Sequence, residues 1–199
     1  MIDNFSKVKE IFKLNDMNDW EFHTCVVWIR KKDLDKTPDA GIIWSNNMQV
    51  RTFFISNENK LDKYEKIIKF MCDRLWARAY FSSCSHSYEK ASLKMIGDLG
   101  RIIMDLNYPW IRWLVESSIM TSKVINKNWV IDIDEKDDNI VNDFKNLLWD
   151  RVQWILPTVQ WYHIVTKPFD RYYVAQALNS YDKLPDIHKD NYCLLYCNL

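Results

Sequence analysis

The most informative segment of the chain is Asn128-Trp129-Val130-Ile131-Asp132-Ile133-Asp134-Glu135, which has the pattern of an apolar β-strand that ends in carboxylates. Side chains of a strand alternate between its two faces, so Asp132 and Asp134 are expected on one face and the isoleucines on the other. Neighbouring carboxylates repel each other unless a cation lies between them, and divalent cations take oxygen ligands of this kind. Two interpretations follow: a metal-binding strand end, or a strand that runs into the charged turn at 134–138.

Two further positions downstream bear on this choice. His163 lies in the β-type run Trp161–Thr166, and a late acid follows as Asp186 or Asp190. A histidine on an apolar strand is more often a half-buried, hydrogen-bonded residue than a ligand, and Asp186 also fits a Pro-Asp turn. Nucleotidyl transfer, however, requires carboxylates that hold divalent ions and a basic side chain that holds the triphosphate. The candidates for the basic group are His163, Lys167, Arg171 and Lys189.

The three motifs together resemble the archaeo-eukaryotic primase superfamily, which includes phage and plasmid primase-polymerases. The first motif is Val130–Asp134, the second ends at His163, and the third holds Asp186 or Asp190, so that the resemblance covers about residues 125–195. It implies an RRM-like sheet and nucleotidyl transfer that depends on Mg²⁺ or Mn²⁺, with nucleoside triphosphates and nucleic acid as partners. It also implies that both aspartates of the first motif and the late acid are metal ligands. His163 would then contact the phosphates of the nucleotide, assisted by Lys167 and Lys189.

The composition predicts one well-packed domain. The 199 residues are 48% hydrophobic and 15% aromatic, which suffices for a large core and argues against disorder. The 27 basic residues balance 27 acidic ones, so nucleic-acid binding would depend on a local patch. We expect a single domain 1–199, made of a helix–strand part (1–120) and a primase-like part (121–199).

The chain lacks a run of about 18 apolar residues and a basic-then-apolar leader, which predicts no membrane partner. We expect a cytoplasmic protein of a bacterial or phage-infected cell, the phage assignment resting on the Asn-, Lys- and Ile-rich composition. Five cysteines without a CxxC pair predict buried thiols rather than disulfides or a zinc site.

Apolar periodicity predicts an α/β or α+β fold, in which helices cover one face of a mixed sheet and the other face is free to hold a site. The helix spanning 87–106 is expected to bury one stripe, consisting of Ser92, Met95, Ile96, Leu99, Ile102, Ile103 and Leu106. The other predicted helices lie within 1–20, 60–78, 138–150 and 169–178, and 110–121 is either a short helix or a connection. The predicted strands are 23–29, 51–55, 78–82, 124–134, 152–155, 161–166 and 192–197, with a loop at Thr37–Gly41.

Three other functions remain open. A non-catalytic module could bind single-stranded nucleic acid by stacking bases on Trp161, Tyr162, Tyr172 and Tyr173, and the bulky pair before His163 favours this version. A phage protein that binds a host partner could use some of the ten tryptophans as anchors. A Cys84–His86 catalytic dyad is disfavoured because i, i+2 neighbours in a loop rarely form one.

Overall fold

The computed structural model describes residues 1–14, 17–18, 20–31, 33, 47–134, 136–179, 181, 184–189 and 191–198. The predicted loop at Thr37–Gly41 lies outside them. The strands of the described residues are β1 (Ile2–Asp3), β2 (Glu21–Arg30), β3 (Asn47–Ile55), β4 (Arg78–Ser82), β5 (His86–Ser87), β6 (Trp129–Ile133), β7 (Val152–Pro157), β8 (Tyr162–Thr166), β9 (Asp186–Lys189) and β10 (Tyr192–Cys197). The α-helices are α1 (Phe5–Leu14), α2 (Glu58–Leu75), α3 (Tyr88–Met104), α4 (Leu114–Thr121), α5 (Asp138–Leu147) and α6 (Arg171–Ala177), with a 3-10 helix at Tyr108–Trp113.

The first sheet has the strand order β1-β10-β4-β2-β3, and β5 pairs with β2. The last strand of the chain therefore lies between β1 and β4, with all six of its residues buried. Helices α1 and α2 cover one face of this sheet, where Phe5, Val8 and Ile68 pack on Phe81 and Leu195 in the largest apolar core. The opposite face of the sheet bears Val26, Trp28, Tyr80 and Tyr192.

The second sheet has the order β7-β8-β6-β9, so the segment β6-α5-β7-β8-α6-β9 forms a βαββαβ unit. Its fourth strand lies beside its first, which is the ferredoxin-like arrangement that RRM sheets share. Both helices pack on one face, where Phe144 and Val174 contact Ile131 and Ile164. The predicted α/β class with helices on one face is confirmed. The sheet is antiparallel rather than mixed, because β8 lies between the parallel strands β6 and β7.

Polar residues before the helices fix where several of them begin. Ser87 caps α3 by accepting a hydrogen bond from the Lys90 amide. Asp137 caps α5 by accepting a hydrogen bond from the Asn139 amide. Helix α2 ends at Leu75 because Trp76 adopts a left-handed conformation with φ of 52°.

Helix α3 differs most from its sequence-based prediction. Of its residues only Ala91 is buried, and Ile96 and Ile103, expected in the core, are 65% and 49% exposed. The physical reason is that α3 packs mainly on α4 and the 3-10 helix and touches the first sheet only near β5. Periodicity correctly predicts the helix but not which of its faces is covered.

The two sheets meet through a small apolar cluster and shared hydrogen bonds. Cys193 of β10 packs on Val130 and Val165 of the second sheet. The Asn4 amide donates hydrogen bonds to the Pro157 carbonyl (2.9 Å) and the Leu194 carbonyl (2.8 Å), which joins the second sheet to the first. Beside this junction the sheets separate and leave a cleft. Among the described residues, no helix combines the length and apolarity that crossing a membrane requires.

Candidate functional site

The three motif positions meet at one register of the second sheet. Asp132 on β6 lies opposite His163 on β8 and opposite Asp186 on β9. Directly opposed residues of antiparallel strands project to the same face, so all three side chains leave the face that α5 and α6 do not cover. His163 Nε2 lies 3.1 Å from Asp132 Oδ1, within hydrogen-bonding distance.

Asp132 and His163 line a cleft between the two sheets, which has a volume of about 220 Å³. The second sheet contributes the side chains of Asp132, His163 and His188, whereas the first contributes a cation and an aromatic wall. The lining residues are Trp28, Arg30, Tyr80, Val130, Asp132, His163, His188, Asn191 and Tyr192. The site therefore lies between the first sheet and the second sheet.

The charges around Asp132 keep it ionised. The hydrogen bond with His163 lowers the pKa of Asp132, and the charges of His163, His188 and Arg30 add to this effect, while burial opposes it. Arg30 is held in place by donating a hydrogen bond to the Tyr80 hydroxyl (3.2 Å). Among the described lining residues, Asp132 is the acidic group, beside one guanidinium and two imidazoles. The cleft thus offers a carboxylate oxygen together with several nitrogen donors for a polar ligand.

The aromatic wall opposite Asp132 is formed by three rings of the first sheet. Trp28 contacts Tyr80 with ring centroids 5.5 Å apart and Tyr192 with centroids 5.4 Å apart. Tyr80 and Tyr192 are buried, whereas Trp28 is partly exposed at the cleft. A ring of this kind offers a flat apolar surface to a nucleobase.

The remaining predicted acids are arranged less tightly. Asp134 follows the end of β6 and is exposed, Asp186 is exposed on the edge strand β9, and Asp190 lies outside the described residues. Within those residues, no group of three or more His, Cys, Asp and Glu side chains could hold a metal ion. Mg²⁺ commonly takes only one or two carboxylates together with substrate phosphates. Asp132, whose Oδ1 contacts His163, is the carboxylate that lines the cleft and could contribute to such a site.

The predicted phosphate-binding cations are not those that line the cleft. Lys189 lies opposite Trp129 and stacks on its ring at 5.2 Å, which places it on the helix-covered face. Lys167 follows β8 and Arg171 begins α6, and neither lines the cleft. Their place is taken by Arg30, the last residue of β2, and by His188. Strand alternation from Asp186 could have identified His188, because residues two apart share a face.

The aromatic residues proposed for base stacking also lie away from the cleft. Trp161 and Tyr162 pack, partly buried, against the core under α5 and α6. Tyr172 and Tyr173 are 84% and 57% exposed on α6, which covers the opposite face of the sheet. No feature of the sequence pointed to Trp28, because its proximity to Asp132 depends on how the two sheets pack.

Cys84 and His86 take part in local hydrogen bonding beside the cleft. The Cys84 sulfur accepts a hydrogen bond from the Asn128 amide (3.2 Å), and His86 Nδ1 lies 3.3 Å from the Ser122 hydroxyl. Both side chains are buried, which fits a structural role in joining this loop to the start of β6.

No family model, curated protein or solved structure matches this chain. The function is therefore inferred from the cleft itself. The cleft combines an ionised carboxylate paired with an imidazole, one guanidinium, a second imidazole and an accessible indole ring.

Proposed function

We propose that the cleft binds a nucleoside triphosphate and that the protein catalyses divalent-metal-dependent nucleotidyl transfer of the primase-polymerase type. The observation that carries the proposal is the register of the second sheet. Motif residues that are about 30 and 54 positions apart in sequence lie on adjacent strands, with Asp132 opposite both His163 and Asp186. If the three short motifs matched by chance, their residues would not be expected to lie opposite each other on one face of one sheet.

The lining of the cleft complements both ends of a nucleotide. The Arg30 guanidinium supplies positive charge for phosphate oxygens, and the imidazoles of His163 and His188 are further hydrogen-bond donors. Across the cleft, the Trp28 ring offers a stacking surface for a base. A triphosphate held between the two sheets would therefore present its phosphates to the Asp132 side.

The metal would be Mg²⁺ or Mn²⁺, held by Asp132 together with oxygens of the bound triphosphate. When bound, such an ion neutralises phosphate charge and acidifies an attacking hydroxyl. Asp132 is ready for this role because its lowered pKa keeps it ionised at neutral pH. His163 orients the carboxylate through the contact between Nε2 and Oδ1.

The environment of His163 fits a functional residue better than a structural one. Its Nδ1 atom is buried and has no hydrogen-bond partner among the described residues. A histidine retained for local hydrogen bonding alone would be expected to have both ring nitrogens satisfied, because buried polar groups in folded proteins are normally paired.

A second candidate function is single-stranded nucleic-acid binding without catalysis. The observation that favours it is the contact between His163 and Asp132, which uses one carboxylate oxygen that a metal ion would otherwise take. In this version the aromatic wall and Arg30 bind bases and phosphates, and no divalent ion is required.

The test is Mn²⁺ binding by calorimetry in the presence of a non-hydrolysable nucleoside triphosphate, followed by primer-synthesis assays. Asp132→Asn should abolish joint binding of metal and nucleotide, because it removes the central carboxylate charge. Asp150→Asn is the matched control, since Asp150 is an exposed acid of the same half outside the cleft, and should bind as the wild type does.

Three outcomes are informative. Joint binding that is lost only in Asp132→Asn, together with primer synthesis, supports nucleotidyl transfer. Salt-sensitive binding of single strands without any effect of Mn²⁺ or triphosphate would replace it by the second candidate. A folded wild-type protein that binds neither the triphosphate nor nucleic acid would overturn both.

A further inference from the structure

A second cavity, which we call the lysine pocket, adjoins the cleft. It has a volume of about 190 Å³ and is bounded by the end of β4, by β5 and by residues 120–127. Tyr192 is the residue that its lining shares with the lining of the cleft. The lining residues are Ser82, Cys84, His86, Met120, Ser122, Lys123, Val124, Lys127 and Tyr192.

Hydrogen bonds fix the walls of the lysine pocket. The Ile125 amide donates to the Ser85 carbonyl (2.9 Å), and the Asn128 side-chain amide donates to the Ser83 carbonyl (2.7 Å). The backbone amide of Asn128 also donates to the Cys84 sulfur (3.2 Å). These bonds attach the segment after α4 to the segment after β4, so the pocket is formed before any ligand binds and binding does not require its walls to become ordered.

The lysine pocket carries positive charge that the described part of the chain does not neutralise. Lys123 and Lys127 are exposed, and no carboxylate occurs among the described lining residues. Neither ammonium group forms an ion pair with a described residue, whereas Lys9, Lys69 and Lys94 each contact one or two carboxylates. In a chain with no net charge, two such lysines at one cavity make a local patch for an anion.

The interior of the lysine pocket suits a ligand that has hydrogen-bond donors of its own. The Ser82 hydroxyl donates its proton to the Cys84 carbonyl (2.9 Å), and the Ser122 hydroxyl donates its proton to the Ile119 carbonyl (2.8 Å). Each hydroxyl has one proton, so their oxygens face the ligand as acceptors. The ammonium groups are then the donors for an anion, while the hydroxyl oxygens accept from a sugar hydroxyl or a base amino group. A nucleotide unit combines these groups.

The lysine pocket and the cleft are close enough to hold neighbouring units of one polymer. Tyr80 lines the cleft and Ser82 lines the pocket, and both project from the same face of β4. Residues two apart on a strand are separated by about 7 Å. Tyr192 lies opposite Ser82 in the register of β10 and β4 and borders both cavities. Positive charge thus lies at either end, on Arg30 and on the two lysines, with an aromatic ring between.

We propose that the lysine pocket binds a phosphate of a single-stranded nucleic acid, and that the strand continues over Tyr192 toward the nucleotide in the cleft. Lys123 and Lys127 bind the phosphate. This inference rests on the proposed function for the nucleotide in the cleft, and it adds the strand and the residues that hold it.

The test is fluorescence anisotropy of a short labelled oligothymidylate with the full chain over a range of salt concentrations. The pocket variant, Lys123→Gln/Lys127→Gln, should raise the dissociation constant by about tenfold. It should also lower the slope of log K against log salt by about 0.7 for each phosphate contact that is lost. The control is Lys66→Gln/Lys145→Gln, which removes the same charge from exposed positions of α2 and α5 outside both linings and should bind as the wild type does.

Weaker binding and a smaller salt slope in the pocket variant, with neither change in the control, support the proposal. Equal affinities and slopes for wild type and pocket variant overturn it, as does a wild-type protein that binds no strand. Calorimetry with inorganic phosphate distinguishes the source of the phosphate group. Phosphate binding that the pocket variant lacks, without any binding of the strand, would assign the pocket to a small phosphorylated molecule and overturn the strand.

The same measurements separate this inference from the proposed function. Joint binding of Mn²⁺ and triphosphate without strand binding through the lysines would leave the proposed function in place and remove the strand from the pocket. Strand binding that depends on the lysines, in a protein that binds no Mn²⁺ and triphosphate, would keep the lysine pocket and overturn nucleotidyl transfer.

Discussion

His23 is an imidazole enclosed by the first core, and its burial makes the stability of the fold depend on pH. The ring stacks on Phe81 with centroids 4.6 Å apart, and its Nδ1 atom is 2.9 Å from the Ser82 carbonyl oxygen. Burial lowers the pKa of His23 from 6.5 to about 4, and the charge of His86 acts in the same direction. The native state therefore keeps this imidazole neutral at pH values where the unfolded chain protonates it.

The consequence is a loss of stability on mild acidification. Between about pH 6.5 and pH 4 the unfolded state binds the proton and the native state does not, so the free energy of unfolding should fall as pH falls, by up to about 3 kcal/mol. His23→Gln retains a polar group but cannot titrate, and it should remove this part of the pH dependence. Urea unfolding of both proteins at a series of pH values measures the difference. An identical slope for the two proteins across this window would contradict the assignment.

At the scale of residues, the sequence identified the carboxylate and its partners on the second sheet but not the groups that face them. Asp132 and His163 could be placed on one sheet from strand alternation and motif spacing, which are local properties of the chain, whereas Asp186 and Asp190 stayed alternatives for the late acid. Arg30 and Trp28 could not be predicted, since both belong to β2, about 100 residues earlier, and reach Asp132 only through the packing of one sheet against the other. Lys189 was misplaced relative to the cleft because the register of β9 turns it to the helix side and His188 to the cleft.

A buried ion pair links β4 to the segment that follows β2. Arg78 donates through Nε and a terminal nitrogen to the two Asp33 oxygens, at 2.8 and 2.7 Å, and both side chains are almost fully enclosed. Removing one partner leaves the other charge buried and uncompensated, so Asp33→Ala should lower the free energy of unfolding by about 3–5 kcal/mol. Urea unfolding measures the change.

A double-mutant cycle measures how strongly the two buried charges of this ion pair are coupled. The double variant Asp33→Ala/Arg78→Met should cost much less than the sum of the single changes, because it removes both charges. Arg101→Ala, which breaks an ion pair whose arginine is 67% exposed, is the control and should cost about 0–1 kcal/mol. Additive effects of the two buried substitutions would show that the pair is not coupled.

At the scale of elements, apolar periodicity located most helices and strands within a few residues, since it reflects local geometry. It failed on the environment of α3, because a stripe of apolar residues does not determine how many of them the rest of the chain covers. The hydrogen bonds of Asp98 could not be predicted from α3 alone, since Ser118 of α4 donates one of them.

At the scale of the whole molecule, the last strand of the chain makes the two sheets dependent on each other. Strand β10 follows β9 of the second sheet after two residues, yet it lies between β1 and β4 of the first. The expected division into 1–120 and 121–199 separates the chain by position in sequence. Strand β10 comes after this division but belongs to the first sheet. Pairing between residues about 115–195 positions apart leaves no trace in local periodicity, so the sequence could not predict it.

The position of β10 leads to the expectation that the molecule unfolds as one unit. All five cysteines are buried and free, and they lie on β2, α2, β10 and the loop after β4, none of them on α5, α6 or the second sheet. Cys25 and Cys72 pack in the first core, so their reaction with a thiol reagent reports on the first sheet, whereas Cys193 also contacts the second sheet. Phe144 of α5, in contrast, is fully buried in the core of the second sheet and is far from every thiol in sequence.

Phe144→Ala should lower the free energy of unfolding by about 3–5 kcal/mol, because it leaves a cavity in the second core. Since Cys193 of β10 packs on Val130 and Val165, loss of the second sheet removes support from the first, so the urea midpoint for labelling of Cys25 and Cys72 should fall together with that for far-ultraviolet circular dichroism. Tyr172→Ala, at an 84% exposed position of α6, should shift neither midpoint. If Phe144→Ala splits the dichroism transition while the labelling midpoint stays at its wild-type value, the two sheets unfold separately, and the cleft between them opens without loss of the first.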